Sequence, residues 1–73
     1  MPEQPDHLKK LVGVATDLGL PTKVRTDAIE FIGNIGTYEA LLALLELVAN
    51  EKLTKGEREL ALKQARGIIR SVR

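Results

Sequence analysis

Near the C-terminus, Glu59, Lys63, Arg66, Arg70 and Arg73 fall at offsets of 0, 4, 7, 11 and 14, and a helix would carry all five on one stripe. Ala61, Ala65, Ile68 and Val72 lie opposite, so apolar residues point one way and cations the other. Such a strip can engage an acidic protein surface or phosphates through charge-assisted hydrogen bonds. Basic residues near a helix C-terminus also offset the macrodipole, by about 0.3 to 1 kcal/mol each. That plainer role is the commoner one.

Catalytic chemistry has few candidates. His7 has no serine or cysteine nearby to activate. Asp27 and Glu30 stand three apart, a spacing that can pair carboxylates, although on the polar face of a helix such groups are ordinarily solvated. Gly33 and Gly36 have neither a strand nor a lysine beside them, so they read as packing and capping glycines rather than a phosphate loop. The chain contains no cysteine and one histidine, which rules out disulfides, thiolate nucleophiles and a Cys/His zinc site. The expectation is no enzyme, no cofactor and no metal.

The 73 residues allow one domain, and folding at that size hides only about 60% of the unfolded surface. A net charge of +1 gives no general attraction to nucleic acid or membrane. The charge is uneven, however: residues 1–36 carry four basic and five acidic groups, residues 37–73 seven and five. MPEQPDH has no basic or apolar leader character, and no apolar run approaches the roughly 18 residues of a membrane span. A cytoplasmic protein is expected.

Periodicity and punctuation give four helices and no strands. Leu8, Leu11, Val12, Ala15 and Leu18 define a first helix over about Asp6 to Leu18, closed by a left-handed Gly19. A second helix opens near Pro21, carries Val24, Ala28, Phe31, Ile32 and Ile35 on its core stripe, and stops at Gly36. Thr37 caps the third, which runs to about Asn50 and is apolar nearly all round from Ala40 to Ala49, as a central core helix would be. Tyr38 reads as a packed helix-start residue. The fourth begins at Thr54 with a capping box closed by Glu57.

Shifted by 33 positions, the chain repeats. Identities fall at Leu8/Leu41, Leu11/Leu44, Leu20/Leu53, Arg25/Arg58, Ala28/Ala61 and Ile35/Ile68. Apolar character is kept at Val12/Leu45, Val14/Leu47, Ala15/Val48, Ile29/Leu62 and Ile32/Ala65. A period of that length marks stacked helix pairs. Unit one covers about residues 6–35 and unit two about 38–72, within a single domain over 1–73.

Three stretches carry a family resemblance. Ile32 to Asn50, IGNIGTYEALLALLELVAN, is similar to the junction between units of the HEAT-like repeat family. Val24-Arg25 followed by Ala28 resembles the start of that family's second helices, and Glu57-Arg58 followed by Ala61 matches its Arg and Ala. The resemblance implies an all-α, α-α superhelix of two antiparallel helical hairpins. It also implies an aspartate pairing with the second-helix arginine, a place Asp17 could fill for Arg25. Second helices line the concave face in such proteins, which would set Thr26, Glu30 and Asn34 beside Lys63, Arg66, Arg70 and Arg73 on a binding face.

Family members are mostly interaction scaffolds, and arrays of two units fall short of the about three that stability normally needs. The expected function is therefore a small non-catalytic protein-protein interaction module, binding a protein partner or a second copy of itself through apolar surface around the third helix and the polar second-helix faces. The alternative is a nucleic-acid-binding accessory protein using the basic stripe. With only Phe31 and Tyr38 as aromatics, base stacking has little to work with, and duplex binding through phosphates remains. A four-helix bundle with a coincidental repeat is the other fold considered.

Overall fold

Four helices occupy the described residues, 4–71, in this computed structural model: α1 (Gln4–Thr16), α2 (Thr22–Ile35), α3 (Tyr38–Val48) and α4 (Lys55–Ser71). The first helix opens at Gln4, ahead of the expected start near Asp6, and the Asp6 side chain and Val72 lie outside what is described. No strand occurs among the described residues, as the periodicity predicts.

Local chemistry sets the boundaries. Thr37 Oγ1 accepts from Ala40 N at 3.1 Å at the start of α3. Before α4 the capping box closes both ways: Thr54 N donates to Glu57 Oε1 at 2.9 Å, and Glu57 N to Thr54 Oγ1 at 3.1 Å. Gly36 ends α2 with a φ of 72°, the left-handed conformation that glycine adopts without steric cost. The first helix ends differently from the expectation. Gly19 does not have a positive φ; α1 stops at Thr16, and Asp17 Oδ1 accepts from Gly19 N at 2.9 Å in an Asx turn.

That turn recurs 33 residues later. Asn50 Oδ1 accepts from Lys52 N at 2.9 Å, while Leu20 N donates to Asp17 O at 3.0 Å and Leu53 N to Asn50 O at 3.1 Å. The shared hydrogen bonds explain why Asp17 and Asn50 occupy equivalent places: both side chains can close the same turn.

Helices α1 and α2 pack as one hairpin and α3 and α4 as another, with α2 and α4 in broad contact across the join. Helix α1 does not reach α4. The shortest dimension is 17 Å, room for two helix layers at the usual interaxial spacing of about 8 to 10 Å. Ala15, Ile29, Ile32, Leu44, Leu47, Ala61, Ala65 and Ile68 form the shared interior, joined by Ala28, Ala40 and Leu53. Ala28 on α2 and Ala61 and Ala65 on α4 are small and buried, letting the two neighbouring helices approach closely.

The centre of the molecule is α2, not α3. Helix α2 packs broadly on α1, α4 and α3, whereas α3 meets α1 only at its edge. Ala40, Leu44 and Leu47 are buried, but Leu42 and Leu45 remain exposed. The apolar circumference of α3 therefore exceeds what this fold covers. Phe31 also departs from the core stripe assigned to it and is 58% exposed, because Ile29 and Ile32 take the inward positions. Tyr38 is 69% exposed rather than packed.

Candidate functional site

The join between the hairpins holds a buried ion pair. Arg25 Nη1 donates to Glu57 Oε1 at 2.9 Å and lies 2.9 Å from Oε2, which has an ion-pair contact but no hydrogen bond. Two further bonds hold the guanidinium: Nε to Leu20 O and Nη2 to Thr22 Oγ1, both at 3.2 Å. Asp17 is committed to its own turn and does not pair with Arg25. The carboxylate comes instead from the other hairpin, 32 residues along the chain. Sequence reasoning assigned Glu57 to the capping box alone, and the spare signal was its position: an acid one helical turn before Ala61 on the stripe that faces α2. Partners on both sides offset the desolvation that burying a lone charge would incur.

The seven residues assigned to a binding face fall on α2 and α4. Glu30, Asn34, Lys63, Arg66 and Arg70 are exposed and Thr26 is half-buried, its hydroxyl donating to Lys23 O at 3.0 Å. Arg73 lies outside the described residues. The two helices are neighbours, yet no hydrogen bond or salt bridge joins any two of these side chains among the described residues. Ala61, Ala65 and Ile68 are buried behind the cations, so α4 has the amphipathic division that the spacing predicts.

His7 is exposed, and Asp27 is drawn to Lys23 Nζ at 3.2 Å rather than to Glu30. Gly33 is a packing glycine: a Cβ there would come within 2.8 Å of Gln64 Cδ and 2.9 Å of Gln64 Cβ. No cluster of three potential metal ligands occurs among the described residues, and no described helix is long and apolar enough to cross a membrane.

Recesses and uncovered apolar side chains remain on the surface of the described residues. A cleft of about 420 Å³ lies among Leu8, Val12, Ile35 and Ala43, with Lys9 and Glu39 at its edge. A shallower recess of about 270 Å³ is lined by Val48, Lys55, Arg58, Glu59 and Leu62. Leu42 and Leu45 on α3, Val24 and Phe31 on α2, and Ile69 on α4 are all exposed. Compared with models of known protein families, with curated proteins and with solved structures, the chain matches none.

Proposed function

We propose that this chain is a small, non-catalytic protein-protein interaction module of the HEAT-like helical-repeat type. The observation that carries the reading is the uncovered side of α3, where Leu42 and Leu45 remain 44% and 41% exposed beside the buried Ala40, Leu44 and Leu47. An apolar face left open on so small a chain favours a protein partner, and the recurring turns 33 residues apart support the repeat architecture. The test is a photo-crosslinking amino acid in place of Leu42, irradiated in the source cell. A defined protein adduct supports the reading. Absence of any adduct at this position would remove the surface from function. Light scattering across a dilution series tells whether the partner is a second copy, since self-association would shift with concentration.

Nucleic-acid binding is the second reading, favoured by the exposure of Lys63, Arg66 and Arg70 without a carboxylate partner among the described residues. Three phosphate contacts would weaken duplex binding about 40-fold between about 50 and about 200 mM salt. The Arg66→Ala/Arg70→Ala double variant should then lose most of it. Binding that ignores both salt and this variant would exclude the reading.

A further inference from the structure

The recess on the outer side of the second hairpin has a counterpart inside the molecule. Its lining residues, Val48, Lys55, Arg58, Glu59 and Leu62, stand 33 positions after Ala15, Thr22, Arg25, Thr26 and Ile29. In the first hairpin this same face is roofed by the second. Ala15 and Ile29 are fully buried there and Arg25 is 8% exposed, its guanidinium held by Glu57 of α4. In the second hairpin the equivalents Val48, Arg58 and Leu62 are only half-buried. The difference is one missing layer.

Arg58 shows what that layer would bring. No hydrogen bond or ion pair holds its guanidinium among the described residues; its Nε, whose counterpart in Arg25 donates to Leu20 O of the same hairpin, is buried without a partner, and the Nη group that Glu57 engages in Arg25 has no carboxylate here. The local support that Arg25 has is weaker here, because Lys55 replaces the Thr22 hydroxyl. Glu59 lines the recess, but no ion pair joins it to Arg58 or Lys55 among the described residues. Two cations beside a single rim carboxylate, around apolar Val48 and Leu62, call for an acidic group on an apolar helix.

We infer that the open face of the second hairpin, centred on Arg58 and Leu62, is a docking site for a helix pair of another protein that presents a carboxylate to Arg58 as Glu57 presents one to Arg25. The partner's inserted helix carries Asp or Glu followed by small apolar residues four and eight positions later, the pattern of Glu57, Ala61 and Ala65 that fits α4 against α2. A second copy of this chain does not satisfy the site. Val24 stands where its first hairpin would need the acid. Arg66 takes the place of Gly33, the position at which the internal join admits Gln64 against bare backbone.

This inference rests on the protein-interaction reading and specifies the partner for a separate face, so one experiment can part the two. The photo-crosslinking group is placed at Leu62 in one chain and at Leu42 in another, both are irradiated in the source cell, and adduct peptides are sequenced. At Leu62 the expected adduct is a helix of a different protein with an acid spaced before small apolar residues. Arg58→Ala in the same chain should reduce its yield about tenfold without lowering the urea midpoint, since Arg58 makes no side-chain bond that the fold needs and its unpartnered Nε is removed. An adduct to the chain's own peptide containing Val24 or Phe31, an adduct without the acid pattern, or one indifferent to Arg58→Ala overturns the inference. Labelling at Leu42 alone overturns it while leaving the interaction reading in place. Silence at both positions overturns both.

Discussion

Arg25 Nη1 sits 2.9 Å from Glu57 Oε1, and that oxygen also accepts from Thr54 N at 2.9 Å. One carboxylate atom thus fastens the first hairpin to the second and caps α4. The side chains of Arg25 and Glu57 are 9% and 2% exposed, so removing either leaves the other charge desolvated. Glu57→Ala is expected to cost about 3 to 5 kcal/mol, comparable to the whole stability of a core this small. Circular dichroism should show loss of the cooperative transition. The Arg25→Met/Glu57→Leu double variant, which removes both charges, should be more stable than either single change. An unchanged urea midpoint for Glu57→Ala would mean that water reaches the pair.

The two threonine caps are expected to contribute similarly when taken alone. Thr37→Ala removes the acceptor for Ala40 N and Thr54→Ala the acceptor for Glu57 N, each at about 1 kcal/mol. Thr54→Ala should cost more than Thr37→Ala because the hydroxyl also steadies the glutamate that holds Arg25. Denaturation midpoints compare them directly, and a smaller loss at Thr54 would separate the cap from the ion pair.

Gly33 and Gln64 make a reciprocal fit. Alanine in a helix interior ordinarily gains about 1 kcal/mol over glycine, and Gly67→Ala, with nothing within 4 Å of the added Cβ, should show that gain. Gly33→Ala should instead destabilise, because the new Cβ meets Gln64 as far back as its own Cβ at 2.9 Å. Adding Gln64→Gly to Gly33→Ala removes that side chain and should recover the difference, less the helix propensity lost at position 64. Strict additivity in this double-mutant cycle would show that the two residues do not touch.

Adjacent leucines on α3 have opposite surroundings. Leu44 is fully buried and Leu45 is 41% exposed. Leu44→Ala is expected to lose about 2 to 5 kcal/mol through lost burial and a cavity. Leu45→Ala should lose roughly 1 kcal/mol or less while weakening any partner held by this face. Equal losses in thermal unfolding would place α3 in a different rotation.

Much of the architecture was legible along the chain because its determinants are local. Thr37, Thr54 and Glu57 cap where they do since a hydroxyl or carboxylate reaches an amide three residues away in any helix start, and Gly36 ends α2 for the same short-range reason. The 3.6-residue spacing likewise marked Ala61, Ala65 and Ile68 as the inward side of α4. The pairing of Asp17 with Arg25 that the resemblance implies does not form, because the Asp17 side chain closes its own turn, and a short side chain's position in a motif does not choose between a local amide and a distant arginine. Only the packed structure decided that α2 occupies the centre, that Phe31 and Leu42 are left uncovered, and that Arg25 meets Glu57 while Arg58 faces an open recess. Those outcomes depend on how far each helix is rotated and which layer lies above it, and such relations arise only when separate elements compete for the same buried area.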